Sequence, residues 1–182
     1  MKKLLLFISF IIIFALPCFA YQTVIIHFPN EEIWKAVYYK KGRTEAIVQY
    51  VPPEQDRVNW KKTVVIHSYK GNTFPAGRYM DQMTAQMTLQ NPTASYKYVK
   101  YSPEDSVAVR CTTEYKGIKG QCEIYKLTKG HEGLISIHYI NRDKNDFKTT
   151  YNTWFNCLKK AVIYYSHFRD ERVMDKAQYY EL

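Results

Sequence analysis

The cysteines are the residues of this 182-residue sequence best suited to covalent chemistry, either as a disulfide or as a thiolate nucleophile. Cys111 and Cys122 bound the stretch CTTEYKGIKGQC, in which Lys116 and Gly117 fit a two-residue turn. Such a turn places the two thiols opposite each other in a β-hairpin, at a Cα separation that a disulfide bridges. We therefore predict a disulfide between Cys111 and Cys122, and a bond from Cys157 to one of them is the alternative.

Cys18 belongs to the predicted signal peptide, so Cys157 is the thiol that this pairing leaves over in the mature chain, and it is the candidate nucleophile of the sequence. A nucleophilic cysteine needs a neighbouring base and a site that favours the thiolate. Cys157 follows Trp154 by three residues, close to the apolar stripe of a predicted helix, where a buried structural thiol fits. The histidines, none in a cysteine-protease signature, are His27, His67, His131, His138 and His167. We assign no catalytic residue and keep a small thiol- or histidine-dependent hydrolase that uses Cys157 as the alternative function.

Motifs for metals, cofactors and other hydrolases are missing from the sequence. It contains neither HExxH nor GxSxG, and KGNTFPAG has neither the glycine spacing nor the Lys-Ser/Thr pair of a phosphate-binding loop. The segment NRDKND lacks the glycine and the acidic twelfth residue of a calcium loop. His67 and His138 are both predicted on strands, where they could share one face of a sheet. We predict no metal and no cofactor.

Basic and aromatic residues alternate in two segments, WKAVYYKKGR (34–43) and YKYVKY (96–101). In a strand, Tyr96 and Tyr98 share a face, so aromatic rings and ammonium groups would together suit an anionic ligand. The alternative is ordinary exposed-strand chemistry, in which tyrosine and lysine discourage edge-to-edge association. The predicted anionic-ligand surface consists of Lys35, Lys40, Lys41, Arg43, Tyr96, Lys97, Tyr98 and Lys100.

The first 20 residues have the layout of a secretory signal peptide. Lys2 and Lys3 precede an apolar run from Leu4 to Leu16, and small residues lead up to a cleavage site after Ala20. The run is shorter than a membrane span, and no second apolar run follows it, so we predict export to the periplasm or beyond. The mature chain would keep 24 basic and 17 acidic residues, a net charge of +7 that favours anionic surfaces.

The remaining sequence predicts strands interrupted by two helices. The first helix extends from Thr73, its predicted N-cap, to Gln90, with an apolar stripe of Ala76, Met80, Met83 and Met87 that suits core packing. The second begins at a cap, Asp146, and its buried face comprises Tyr151, Trp154, Leu158, Ala161, Val162 and Tyr165. Short strands with turn signals surround the first helix.

This order of elements predicts an α+β fold, in which a curved antiparallel sheet of about six or seven strands carries two main helices. Residues 1–20 form the signal peptide, 21–168 a single domain and 169–182 a charged C-terminal extension. The segment VPPEQDRVNWKKTVVIH before a helix, and GLISIHYINR leading into the last helix, resemble small exported bacterial proteins of the PsbP-like fold. In that pattern Trp60 begins a sheet strand and Arg142 ends the penultimate element.

The PsbP-like resemblance implies a binding or assembly module without an active site. Together with the basic balance, it leads us to predict a non-catalytic, exported module of the bacterial cell envelope or secreted fraction. The expected partners are an envelope protein, an anionic lipid or a polysaccharide. Nucleic acid is not an expected partner, and no transmembrane segment is expected after signal cleavage.

Overall fold

Seven antiparallel strands form the main sheet of the protein. The structure, a computed structural model, describes residues 21–29, 33–166 and 178–181. The strands of this sheet are β2 (Lys35–Lys41), β3 (Glu45–Val51), β4 (Lys62–Lys70), β5 (Ser95–Lys100), β6 (Asp105–Cys111), β7 (Cys122–Lys129) and β8 (Gly133–Asn141). Their spatial order is β2-β3-β4-β8-β7-β6-β5, so β2 and β5 are the two edges. The predicted α+β class, antiparallel sheet and strand number are confirmed.

A second, three-stranded sheet has β1 (Tyr21–Ile26) at its centre, between β9 (Val162–Ser166) and β10 (Gln178–Glu181). The sequence predicted a strand at β1 but continued the last helix through Tyr165. The helix ends earlier because residues 162–165 are β-branched or aromatic and pair as a strand with β1. Part of the predicted C-terminal extension, β10, also pairs with β1. The predicted signal peptide and residues 169–177 lie outside the described residues.

The two helices, α1 (Ala76–Gln90) and α2 (Lys144–Lys160), lie on opposite faces of the main sheet. Side chains alternate between the faces of a strand, so Ile124 packs with Trp154 and Leu158 of α2 while Tyr125 packs with Met80 of α1. The predicted methionine stripe is a core contact, in which Ala76 and Met80 are fully buried and Met83 is half-buried. The face of the main sheet that carries α2 also packs against residues of β1.

Both helices begin at residues other than the predicted caps. The N-cap of α1 is Pro75 and not Thr73, and the backbone carbonyls of Pro103 and Ser102 accept hydrogen bonds from Ala76 and Gly77. A neighbouring loop therefore satisfies the first N–H groups of this helix, which a side chain was expected to cap.

The N-cap of α2 is Asp143, three residues before the predicted cap. The Asp143 carboxylate accepts hydrogen bonds from the N–H groups of Asn145 and Asp146, at 2.9 and 3.1 Å. Asp146 lies in the first helical turn, where its carboxylate forms an ion pair with Lys62 at 2.9 Å. The corrected start of α2 brings Asp143 and Lys144 to the end of the main sheet, directly after β8.

The hairpin of β6 and β7 has the predicted register and the predicted disulfide. Lys116 and Gly117 both have positive φ angles, 51° and 76°, as a tight two-residue hairpin turn requires. Cys111 and Cys122 are directly paired across the strands with their Cα atoms 4.1 Å apart, and a disulfide joins them. Cys122 also pairs with Asn141 at the end of β8, so the disulfide-linked hairpin lies beside the start of α2.

Candidate anion-binding cleft

A cleft of about 590 Å³ opens at the end of the main sheet where β4 and β7 begin and β8 ends. Three separate segments line it: residues 58–61 from the loop between β3 and β4, Lys119 from the β6–β7 hairpin, and residues 142–145 from the start of α2. The register of β4, β8 and β7 brings these segments together because Asn141 pairs with Lys62 on one side and with Cys122 on the other.

The loop between β3 and β4 is held by its own side chains. The Asp56 carboxylate accepts hydrogen bonds from the N–H groups of Val58 and Asn59, both at 2.7 Å. The hydrogen bonds from Asn59 and Val58 hold the pKa of Asp56 below its usual value. The Gln55 side-chain oxygen accepts from the N–H of Lys61 at 2.6 Å. This wall of the cleft is therefore shaped before any ligand arrives, which reduces the ordering cost of binding.

Arg142 and Trp60 form the floor contact between this loop and the end of β8. The Arg142 guanidinium lies 3.6 Å from the centre of the Trp60 ring, a cation–π contact, and its Nη1 donates to the Trp60 carbonyl at 3.0 Å. Burial lowers the pKa of Arg142, which nevertheless stays a cation. Its Nε–H is buried and has no hydrogen-bond partner within the described part of the chain.

Positive charge dominates the lining of the cleft. Lys61, Lys119, Arg142 and Lys144 contribute four cations, whereas Asp143 is the one acidic residue among the described lining residues. The Asp143 carboxylate already caps α2, and the hydrogen bonds from the N–H groups of Asp146 and Asn145 keep its pKa below the usual value. The positive end of the 17-residue helix α2 adds to the field. The cleft therefore favours an anionic group that accepts hydrogen bonds from lysine and arginine.

The predicted anionic-ligand surface lies elsewhere and on two edges of the sheet. Lys35, Lys40 and Lys41 belong to β2 and Arg43 follows it, whereas Tyr96, Lys97, Tyr98 and Lys100 belong to β5, with five strands between β2 and β5.

Several members of these two edge groups have acidic neighbours. Lys40 forms an ion pair with Glu45 at 2.8 Å, which raises the pKa of Lys40, and Lys100 forms one with Asp105 at 2.8 Å. The Tyr98 hydroxyl donates to Asp81 at 3.0 Å. None of the eight residues lines the cleft.

Cys157 is a buried free thiol on the core-facing side of α2. Its S–H donates to the backbone carbonyl of His27 at 3.0 Å, and burial raises its pKa to about 12. A thiol with this pKa is protonated at neutral pH and is a poor nucleophile. The bond between Cys111 and Cys122 also removes the alternative pairing of Cys157 with a hairpin cysteine.

A buried titratable cluster lies on the sheet face that carries α1, opposite the face that carries Cys157. Glu123 is 1% exposed and its carboxylate is 2.7 Å from Arg110 Nε, in an ion pair whose N–H is not aligned for a hydrogen bond. Burial raises the pKa of Glu123, but His138 and Arg110 outweigh burial and keep that pKa below the usual value. His67 shares this face with His138, on the adjacent strand, as predicted. No group of three or more His, Cys, Asp or Glu in the described residues is arranged for a metal ion.

The sequence alone did not predict this cleft. The PsbP-like pattern names Trp60 and Arg142 only as the ends of sheet elements, and Lys61, Lys119 and Lys144 are ordinary lysines in their own segments. Glu123 was missed as well, although an acidic residue between Cys122 and Ile124 in an apolar strand is a detectable signal of a buried ion pair.

No family model, no curated protein and no solved structure matches the chain. In the described residues, no helix is both long enough and apolar enough to cross a membrane.

Proposed function

We propose that the protein is a non-catalytic binding module of the bacterial cell envelope or secreted fraction, and that it binds an anionic group in the cleft. The observation that carries this proposal is the clustering of Lys61, Lys119, Arg142 and Lys144 around one cleft whose only acidic lining residue, among those described, caps a helix. A phosphate, sulfate or carboxylate group suits these donors, and both lipid head groups and polysaccharides carry such groups.

The shape of the cleft supports binding of a small group or of one unit of a larger ligand. Its volume of about 590 Å³ lies within the range of small-molecule sites in proteins. Trp60 adds an aromatic surface, and the hydrogen bonds of Asp56 and Gln55 hold the wall in place. The pattern-level resemblance to PsbP-like proteins supports the same class of function, since most members of that fold bind or assemble.

Export to an oxidising compartment is part of the proposal, and the disulfide between Cys111 and Cys122 supports it, because such bonds persist mainly outside the reducing cytosol. The alternative of a small thiol- or histidine-dependent hydrolase that uses Cys157 has no supporting observation among the described residues. Cys157 is buried with a raised pKa, and the described residues that line the cleft include no cysteine, histidine or serine.

Tryptophan fluorescence offers a direct test of the cleft. Trp60 lies in it, whereas Trp34 and Trp154 are both buried in the core and contact each other. We expect pyrophosphate, but not a neutral disaccharide such as maltose, to change the emission of Trp60, with an affinity that falls as salt is added.

Single lysine substitutions test whether pyrophosphate binds in the cleft. We expect Lys61→Gln and Lys144→Gln each to weaken pyrophosphate binding by about fivefold to tenfold, the loss of one charge-assisted contact. The matched control is Lys160→Gln at the other end of α2, about 24 Å along the helix from Lys144, which should bind as the native protein does. Unchanged fluorescence at low salt, or equal weakening by the control, would contradict the proposal.

A further inference from the structure

We infer that the partner of this cleft is an anionic lipid bilayer, and that the end of the molecule carrying the cleft docks on the bilayer with Val58 and Ile118 entering its interface. The inference rests on the proposed function and names the source of the anionic group as a lipid head group. It is drawn from two strongly exposed aliphatic side chains, Val58 in the cleft lining and Ile118 next to the lining residue Lys119, which an anion alone does not require.

Val58 and Ile118 are 76% and 62% exposed. Val58 lies in the loop between β3 and β4 and lines the cleft, and Ile118 precedes the lining residue Lys119 in the hairpin turn. Scattered apolar residues are common on protein surfaces, but these two project from separate loops that meet at one cationic cleft. Apolar tips beside basic residues are the pattern of a surface that lies in the membrane interface.

Further basic and aromatic residues flank the tips. Arg57 precedes Val58 and stacks on Tyr38 at 4.1 Å, and Lys116 lies over the Tyr115 ring at 5.3 Å in the hairpin turn. Aromatic rings of this kind are enriched at the level of lipid head groups. Each lysine or arginine near an anionic bilayer strengthens binding by about fivefold.

Acidic residues at this end oppose only part of this attraction. Glu54 and Glu114 are exposed in the same loop and hairpin, and Asp56 accepts backbone hydrogen bonds from its own loop. The cleft itself still has four cations against one carboxylate. A head-group phosphate held between the tips would reach the lysines while the aliphatic side chains enter the acyl boundary.

Local bonds hold the two loops that carry these side chains, and in the β3–β4 loop the Val58 N–H donates to the Asp56 carboxylate at 2.7 Å. The disulfide and the hydrogen bond from the Thr112 N–H to the Gln121 carbonyl, at 2.8 Å, fix the base of the hairpin.

A soluble polysaccharide would use the cations but not the aliphatic tips. A protein partner would bury a continuous apolar patch, whereas here the apolar tips are divided by a charged cleft. An anionic bilayer satisfies both features at once.

Vesicle co-sedimentation of the mature chain, Tyr21 to Leu182, tests the inference without the apolar signal peptide, which would bind lipid by itself. We expect binding to vesicles that contain phosphatidylglycerol and little binding to phosphatidylcholine alone. Val58→Asp and Ile118→Asp should each weaken vesicle binding by about tenfold or more, because a carboxylate does not enter the apolar part of the bilayer and is repelled by its anionic surface. Val162→Asp is the matched control, since Val162 is 54% exposed beyond the far end of α2.

The pyrophosphate titration separates this inference from the proposed function. Because Val58 lines the cleft, a carboxylate there would also repel pyrophosphate, so the separation uses Ile118→Asn, which adds no charge at a residue outside the cleft lining. This variant should keep a folded structure, because Ile118 is exposed, and most of its pyrophosphate affinity, while its vesicle binding weakens. Vesicle binding that Ile118→Asn, Val58→Asp and Ile118→Asp all retain would overturn the docking geometry. Binding of pyrophosphate or heparin without binding to phosphatidylglycerol vesicles would overturn the lipid assignment and leave the anion site standing. If the protein binds neither pyrophosphate nor phosphatidylglycerol vesicles, both proposals are overturned.

Discussion

Removing the disulfide with Cys111→Ala and Cys122→Ala tests how much the bond contributes to the stability of the protein and to pyrophosphate binding in the cleft. The bond closes a loop with a sequence separation of 11 residues. In the chain-entropy model, opening a loop of this length gives the unfolded chain freedom worth about 3 kcal/mol. Cys122 is also buried in the core, so losing its sulfur adds about 1 kcal/mol of lost apolar contact.

We therefore expect the double variant to lose about 3–4 kcal/mol of unfolding free energy, measured by urea denaturation under non-reducing conditions. For a domain of this size, this loss corresponds to a fall of about 6–16 °C in melting temperature. Cys157→Ala in the oxidised protein is the control, because it removes a buried thiol but leaves the staple in place. Its loss of stability should be smaller, about 1–2 kcal/mol.

The same double variant should affect the cleft less than it affects stability. Lys119 is three residues from Cys122, but hydrogen bonds between Thr112 and Gln121 still hold the hairpin base when the staple is gone. We expect pyrophosphate affinity to fall by about twofold to threefold, from the wider motion of Lys119. A loss of unfolding free energy below about 1 kcal/mol would refute the role given to the staple. Alkylation of both hairpin cysteines in the native protein would show that the bond does not form.

The remaining predictions concern the buried groups. Arg110→Met leaves Glu123 buried without its guanidinium partner, so the unfolding free energy should fall by about 3–5 kcal/mol at neutral pH. Because the pKa of Glu123 is lowered in the folded native protein, Glu123 contributes stability above its usual pKa, and this stability is lost on acidification. In the variant, protonation of Glu123 removes the cost of an unpaired buried charge. The difference in unfolding free energy between native protein and variant should therefore narrow in urea titrations at acidic pH, and a constant difference would contradict this explanation. Cys157 should resist thiol reagents at neutral pH in the folded protein and react once urea unfolds it, and rapid native labelling would refute its burial. Because the folded thiol keeps its proton up to a pKa of about 12 while the unfolded thiol ionises near 9.0, stability should fall as pH rises between these values, less steeply in Cys157→Ala.

Local patterns in the sequence were sufficient for most elements of the fold. The turn at Lys116 and Gly117 needs positive φ angles, and the strand alternation around it sets the register, so the position of Cys111 opposite Cys122 follows from a short stretch of sequence. The methionine stripe predicted a buried face of α1 for a similar reason, since helical periodicity alone brings Met80 and Met83 to one side.

Element ends were less predictable because they depend on neighbours distant in sequence. Thr73 is a good cap by type, yet the carbonyls of Ser102 and Pro103 satisfy the first N–H groups of α1. The last helix was predicted through Tyr165, but β1 offers a strand partner for residues 162–166, and the backbone pairs there from Val162 onward. The tertiary environment outweighed the local preference at both positions.

The sequence by itself determined the class of fold, the staple, the odd thiol and the basic balance, since these depend on residue type and short spacing. Only the tertiary structure decided where that charge is concentrated. Lys61, Lys119 and Lys144 come from three separate segments, and the pairing of Asn141 with both Lys62 and Cys122 places those segments around one cleft. Electrostatic attraction falls with distance, so a site made of single charges exists only once long-range strand pairing has brought them together.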